Sequence, residues 1–491
     1  MTNKLLKFVS FITALCVIMG VMPIMSFAEE SELEYVEAVD IIQFSPETEL
    51  EPTLDVSINK FYNNGTQVDT KKYFYNQLTA NQKELYNQIK SAGVLQQISI
   101  DLTNITIIGK GTSSASKTNA QNAAMQDIMM ALTALNEDNP LFFWASGFGI
   151  SYGGTRKYSG GTYTYTITTL IININIDTAH FSDFNDVKTK RDAAVNKLAT
   201  IKVNGISRHE KVKSIHDYLA NNIVYDDTIS KPNIFDVYGA LITGVCVCEG
   251  YAEAFKLLCD REGIPCLTVI GTGNGGAHKW NMVQMEDGEW YLLDSTWDDQ
   301  SSNVYYSYFL TGSNTKAPFF SNNTVPDSTI HIPTGKLFSS ASVSLTYPTL
   351  STDTYGVGIL RYGAKDVHFD TARGVIMVGK DVTNYYNYIT NNSTSGFTRT
   401  RNGTGTTTST LTVSDGTTTK EYLVAMRGDV NASNKTDVAD YNLLTQICST
   451  THKVDDNTAK FYAGDMNQDG AIDGFDVIAH ELYTNGELTF E

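Results

Sequence analysis

Near its C-terminus the chain repeats itself. Gly428-Asp429-Val430-Asn431 recurs as Gly464-Asp465-Met466-Asn467, with Asp440 and Asp476 at matching offsets. Oxygen-bearing residues placed twice in register constrain this end of the chain to loop–helix units. A Ca²⁺ ion takes roughly six to eight oxygens, and a twelve-residue loop supplies them from positions 1, 3, 5, 7, 9 and 12. In the second repeat those positions are Asp465, Asn467, Asp469, the Ala471 carbonyl, Asp473 and Asp476, with Gly470 turning the chain at position 6. In the first they are Asp429, Asn431, Ser433, the Lys435 carbonyl, Asp437 and Asp440. Ser433 stands there for a carboxylate and Asn434 for the glycine, so the second loop is expected to bind its ion more tightly. Helical patterns follow at Tyr441–Cys448 and Val477–Tyr483.

At 491 residues the chain is too long for one ordinary core, and several domains are expected. The formal net charge of −18 argues against nucleic acid or an anionic membrane as partner, since both want basic patches. The first segment reads as an export signal. Lys4 and Lys7 precede an apolar run over Phe8–Met22, and Ser26-Phe27-Ala28 offers small residues for cleavage. A mature chain starting after Ala28 is expected to be secreted, and no later stretch is long and apolar enough to span a bilayer. It keeps Cys246, Cys248, Cys259, Cys266 and Cys448, an odd set too sparse for a disulfide framework. Cys259 and Cys266 could pair, or could be small buried hydrophobes.

Thr79 and Gln82 form a capping-box pattern ahead of Leu85 and Ile89, and further helical patterns cover about 119–135, 183–198 and 208–221. Alternation from Tyr163 to Ile176 predicts a strand. The Ser/Thr/Gly-rich run over 391–419 reads as a flexible linker or a twisted hairpin.

The chemistry-bearing residues lie in between. A helical pattern starts at Glu249, which puts Cys248 at a helix N-terminus, where the dipole and free N–H groups favour thiolate. Two strands follow, Ala277–Met285 and Glu289–Thr296, carrying His278 and Asp294. A two-residue turn would put these side chains on opposite faces. A three-residue Glu286-Asp287-Gly288 loop, with Gly288 in the left-handed region, pairs Met285 with Glu289. His278 and Asp294 then become diagonal neighbours on one face. In that arrangement Cys248 attacks an acyl carbon, His278 moves protons, and Asp294 orients the imidazole. Trp280, Trp290 and Trp297 are expected to pack around the site. His216 and Tyr225 read as ordinary helix and strand residues, and His180, His331 and His480 show no ligand spacing.

Three ordered blocks make this segment resemble the bacterial transglutaminase-like family: Cys248-Glu249-Gly250-Tyr251-Ala252, His278-Lys279-Trp280-Asn281, and Trp290 through Asp298. Asn139-Pro140-Leu141-Phe142-Phe143-Trp144 is similar to lead-in domains that accompany such a core. The resemblance implies a papain-like fold and acyl transfer through a thioester. Water as acceptor gives a protease or amidase, and a lysine amine gives a cross-link; hydrolysis is favoured. Cys246 is the alternative nucleophile but lacks the Glu-Gly-Tyr-Ala continuation. Lys279 departs from the small residue expected there and adds a cation near the site.

The duplicated loops, ending in Asp rather than Glu, resemble a dockerin. This implies a cohesin module of a scaffoldin as partner and two Ca²⁺ ions as cofactor. Loop positions 10 and 11 are Val438-Ala439 and Gly474-Phe475, and their difference does not favour binding in two swapped orientations. The expected fold class is α+β and multidomain. A signal occupies 1–28, an α+β domain 29–195 and a papain-like transglutaminase-like core 196–334; β modules with a Ser/Thr-rich linker fill 335–426, and the dockerin 427–491. The alternatives from other classes are a non-catalytic binding module that kept the fold, and a carbohydrate-active enzyme, for which no paired carboxylates are recognisable.

Overall fold

The Thr79 side chain accepts from the Gln82 amide while the Gln82 side chain accepts from the Thr79 amide, so the helix Ala80–Ala92 (α1) starts on the capping box that the sequence predicts. The computed structural model describes residues 70–491 apart from 301–302, 316–326, 335–344, 357–358, 361–363, 365, 372, 383, 391–397, 415–418, 450–452 and 491. The expected leader over 1–28 lies outside the described residues.

The N-terminal unit packs α1 and the long helix Ser113–Asp138 (α2) on a sheet of Gln97–Ser99 (β1), Ile108–Gly111 (β2), Ala145–Ser159 (β3) and Thr162–Ile176 (β4). Strand β4 pairs with all three others, antiparallel in each case. Helix α2 is longer at both ends than the pattern over 119–135 predicts, because Thr112 caps its start and the carboxylate of Asp138 is held at its end by the Phe74 and Tyr75 amides.

The central unit opens with helices Phe184–Thr200 (α3) and Arg208–Asn222 (α4). The Ser207 hydroxyl and Glu210 form a capping box at the start of α4. Then come helix Cys248–Arg261 (α5) and an antiparallel sheet of Cys266–Gly273 (β5), Gly276–Gln284 (β6), Trp290–Leu293 (β7), Phe309–Thr311 (β8) and His331–Pro333 (β9). Its order is β8-β7-β6-β5-β9. The sheet is buried on both faces, so its strands read as continuous apolar runs. Leu267, Val269, Trp280, Met282 and Leu292 pack into the core shared with the N-terminal unit. Cys266, Val283, Tyr291 and Leu293 pack with Phe255 and Leu258 of α5.

The turn between β6 and β7 has the predicted register. Asn281 faces Leu293 and Gln284 faces Trp290, the Met285 amide donates to the Glu289 carbonyl, and Gly288 has φ +85°. Gly288 has no Cβ to clash in that left-handed conformation.

The C-terminal unit is a second five-stranded sheet, ordered Val367–Asp370 (β10), Val375–Val378 (β11), Thr419–Met426 (β14), Thr410–Ser414 (β13), Thr398–Asn402 (β12), with β11 and β14 parallel. Strands β12 and β13 pair antiparallel, so of the two readings of the Ser/Thr/Gly-rich run its described part is a hairpin. Helices Val438–Cys448 (α7), Ala459–Gly464 (α8) and Gly474–Thr484 (α9) complete it. Among the described residues no helix is long and apolar enough to cross a membrane.

Candidate active site

Helix α5 begins at Cys248, and its N-cap, Val247, offers no side-chain acceptor to the first-turn amides. The helix dipole therefore meets the Cys248 thiol uncompensated by a cap. Strand β6 carries His278, and Asp294 sits one residue past β7 as the N-cap of the short helix Ser295–Asp298 (α6). His278 Nε2 lies 2.8 Å from Asp294 Oδ2, with both side chains buried. With Nε2 committed to the carboxylate, Nδ1 is the nitrogen left for Cys248, whose side chain neighbours the ring and favours its charged form. The structure thus brings Cys248, His278 and Asp294 together.

The two Asp294 oxygens have separate tasks. Oδ1 accepts from the Thr296 and Trp297 amides at 3.0 and 3.2 Å, fixing the carboxylate as a helix cap. Oδ2 accepts from His278 and, at 3.2 Å, from Nε2 of His331. Burial alone would raise the Asp294 pKa, but the two imidazoles outweigh it and hold the carboxyl well below the usual range. For His278 burial disfavours the charged ring, yet Asp294 and Cys248 raise its pKa to about 10. Asp294 and Cys248 therefore favour the charged imidazolium form of His278.

His331 is the residue that sequence reasoning missed. It arrives on the edge strand β9, where it pairs with Gly273 of β5, and no spacing in the sequence signals it. His278, Asp294 and His331 are a group whose ligand atoms lie close enough to hold a metal ion, all within 4.8 Å of one another. Both Nε2 atoms stand at hydrogen-bond distance from one oxygen, so the group has the geometry of two N–H donors on a shared acceptor.

Two of the three expected tryptophans wall the ring, while Trp290 packs instead edge-on to Tyr73 at 6.1 Å. Trp297 stacks on His278 at 4.8 Å and 18°, and Trp280 flanks it at 5.8 Å and 24°. A Cβ at Gly273 would come within 2.8 Å of His278 Cδ2 and of Trp297 Cζ2, so this stack needs glycine there. Tyr225 also belongs to the site. Burial and then the neighbouring Cys248 push its phenol upward.

Cys246 is fully buried, and a Cβ at Gly250 would meet its sulfur at 2.7 Å. Burial pushes its thiol well up. It packs beneath α5 while Cys248 is partly exposed, which removes the case for Cys246 as nucleophile. Cys259 and Cys266 are likewise buried free thiols. Lys279 does not project a cation towards His278. Alternation sends it to the other face of β6, where Nζ meets Glu253 at 2.9 Å and Glu249 at 3.1 Å.

A second histidine holds the strand–helix corner. His216 of α4 places Nδ1 2.9 Å from Asp217 and Nε2 3.3 Å from Asp298, while Asp298 also accepts from the Ser307 and Tyr308 amides. Burial works against the charged ring, but the two carboxylates raise its pKa to about 9. His216→Ala is expected to cost about 3–5 kcal/mol in urea unfolding, since it strands buried carboxylate. The His216 contribution is fully present below the unfolded pKa near ~6.5 and is lost as pH rises through about 9. A wild-type stability profile flat from pH 6 to 10 relative to the variant would contradict this.

The two acidic loops fold alike. Asn434 and Gly470 both sit in the left-handed region, φ +67° and +89°, so Asn at position 6 makes the turn that Gly makes. Asp437 and Asp473 each form a capping box with Asp440 and Asp476. Asp429, Asp440, Asp465 and Asp476 are fully buried, and Asp465 Oδ1 has no hydrogen-bond partner among the described residues. The loops do not hang on a linker. The Thr407 hydroxyl donates to Asp429 at 2.6 Å, Arg373 lies 3.6 Å from Asp465, and Arg427 is ion-paired with Glu210 of α4.

Residues 197–295 match the model of the transglutaminase-like superfamily, a segment that includes Cys248, His278 and Asp294 and ends before His331. The chain is similar to the kyphoscoliosis peptidases of Homo sapiens and Mus musculus, each 32% identical over 103 residues, 18% of this chain and 15% of the relative. The match thus spans about a seventh of the length of those relatives. Among solved structures it is similar to a TGase (16% identity, 30% of this chain and 45% of the other, TM-score 0.19). It is also similar to the periplasmic domain of TgpA from Pseudomonas aeruginosa (16% identity, 28% and 56%, TM-score 0.18). The chain therefore carries a transglutaminase-like domain within a mixed α/β architecture.

Proposed function

We propose that the chain is a secreted thiol enzyme that acts on amide or peptide bonds through a Cys248–His278–Asp294 triad. The observation that carries this reading is the His278 ring held between the Asp294 carboxylate, at 2.8 Å, and the Cys248 side chain. In this reading the Cys248 thiolate attacks the acyl carbon and the carbonyl electrons move onto oxygen. The N–H groups at the start of α5, Cys248 first, receive that oxyanion. Collapse to the thioester expels the amine, which takes its proton from the His278 imidazolium. Neutral His278 then deprotonates a water, whose attack on the thioester releases the carboxylic acid and restores the Cys248 thiolate beside the His278 imidazolium. Asp294 stays ionised throughout and stabilises the imidazolium.

The test incubates the mature protein with a peptide library containing Gln and Lys, read by mass spectrometry beside a Cys248→Ala control. Cysteine-dependent cleavage is expected. Loss of ammonia with isopeptide linkage would instead mark a cross-linker. Products indistinguishable from the control would sink the enzyme reading in favour of a binding module.

The acidic loops are read as a dockerin that holds two Ca²⁺ ions. Asp465, Asn467, Asp469, Ala471, Asp473 and Asp476 would hold one ion; Asp429, Asn431, Ser433, Lys435, Asp437 and Asp440 would hold the other. The orphaned buried Asp465 Oδ1 and the matching position-6 turns fit such an ion. When bound, the ion supplies charge neutralisation and cross-linking of the loop, not catalysis. Val438, Phe475 and Ile478, 72%, 70% and 55% exposed at the helix starts, support docking to a cohesin module of a scaffoldin. Calcium at a thousandfold over its Kd is expected to add about 4 kcal/mol per site. Chelation should lower the melting temperature, and Asp465→Ala should remove more of the calcium effect than Asp429→Ala. An identical melt with and without chelator would refute the metal sites.

A further inference from the structure

Between the N-terminal unit and α5 lies a pocket of about 230 Å³, below the ~300–1,000 Å³ of drug-sized sites and suited to one side chain. Five carboxylates line it: Glu137 from the end of α2, Glu249 and Glu253 from the first turns of α5, and Asp177 and Asp236. Phe143, Trp144 and Phe235 supply aromatic walls. The start of α5 is also the start of the thiol site, since Glu249 follows Cys248.

The charges do not balance. Among the described residues Lys279 is the cation in contact with the glutamates, with Nζ 2.9 Å from Glu253, 3.1 Å from Glu249 and 3.9 Å from Glu137. Among the described residues, the two deepest glutamates each keep an oxygen without a hydrogen-bond partner. Glu253 is 4% exposed, and its Oε2 has no partner once Oε1 has taken Lys279. Glu137 is fully buried; Thr268 donates to its Oε2 at 2.6 Å, and its Oε1 accepts nothing. A buried carboxylate oxygen left unpaired is costly and wants a proton or a cationic donor. Burial pushes the Glu253 carboxyl well up, even against Lys279. Aromatic faces attract the same kind of donor.

We propose that this pocket binds a basic side chain, through its ammonium or guanidinium head, presented by a peptide ligand. A cationic N–H group entering between Glu253 Oε2 and Glu137 Oε1 supplies the donors those oxygens lack and neutralises the excess charge. The alkyl stem lies along the aromatic wall. The site binds and does not react, so it is independent of whether Cys248 performs chemistry.

The test is calorimetry on the full-length Cys248→Ala protein, in which no turnover can intrude. Probes are Nα-acetyl-lysine methylamide, Nα-acetyl-arginine methylamide, the uncharged Nα-acetyl-norleucine methylamide, and free agmatine. A saturable basic amide, with norleucine at least tenfold weaker, is the expected result. Glu253→Gln and Glu137→Gln should each weaken the basic probe about tenfold while the melting temperature confirms folding. Equal affinity for norleucine, or no binding of either basic amide, overturns the proposal. Binding of agmatine alone also overturns it, because the source would then be a free amine. If a variant fails to fold, the charged-against-uncharged comparison on the Cys248→Ala protein still decides.

Discussion

An Asp294→Asn protein is expected to keep its fold and lose turnover by about 10⁴-fold. The fold survives because Oδ1 caps α6 through the Thr296 and Trp297 amides, and Asn caps a helix about as well as Asp. Activity does not survive, because Oδ2 becomes an amide that donates. His278 must then turn an unprotonated Nε2 towards it and put the proton on Nδ1, the nitrogen that should take the thiol proton. His331 loses its acceptor in the same substitution, since it shares that oxygen at 3.2 Å. The imidazolium also loses its counterion, so the His278 pKa should fall from about 10. The pH profile of Cys248 alkylation reads this directly. The thiolate–imidazolium form should span a narrower pH range in the variant, and His331→Gln, which keeps a donor on the carboxylate, should cost less. Wild-type turnover in Asp294→Asn would remove Asp294 from the machinery.

The parts of this site that could be read from the sequence are those set by local geometry. The β6–β7 register follows from loop length and one left-handed glycine, and so places His278 diagonal to Asp294 without knowledge of the rest of the fold. The Thr79–Gln82 box and the acidic loops are local in the same sense: each is specified within about a dozen residues. His331 was not legible because it reaches Asp294 across 37 residues of chain, through an edge-strand pairing that no periodicity announces. The partners of Lys279 were not legible for a related reason. Its position on β6 predicts a cation near the site, and strand alternation settles where: away from His278, on partners from α5 and from α2, the latter more than a hundred residues earlier. Tyr225 looked like an ordinary strand residue because its two-residue strand is meaningful only where Val224 and Tyr225 pair with Val245 and Cys246 ahead of the thiol.

Arg427→Ala is expected to destabilise the chain by about 3–5 kcal/mol and to loosen the acidic loops from the transglutaminase-like domain. Arg427 is 2% exposed and ion-paired with Glu210. Its guanidinium also lies 3.9 Å from the Phe490 ring centroid and donates to the Met466 carbonyl at 3.3 Å. Glu210 cannot relax towards water when Arg427 is removed. Its Oε2 already accepts from the Ile206 and Ser207 amides at 2.7 and 2.9 Å as the capping box of α4. Truncation therefore leaves an ionised carboxylate buried at a helix start, and the helix dipole offsets only part of that cost. The charge-free double variant Glu210→Gln/Arg427→Met should recover much of the loss, because removing both charges costs less than stranding one. Urea unfolding followed by a probe in each unit separates the possibilities. In the wild type the two transitions should coincide, and in Arg427→Ala the loop unit should unfold first. Coincident, unshifted transitions in Arg427→Ala would mean that the ion pair couples nothing, and that the loops hold to the transglutaminase-like domain through other contacts, among them Ile206 packed with Met466, Tyr483 and Phe490 and Gln468 on Glu210.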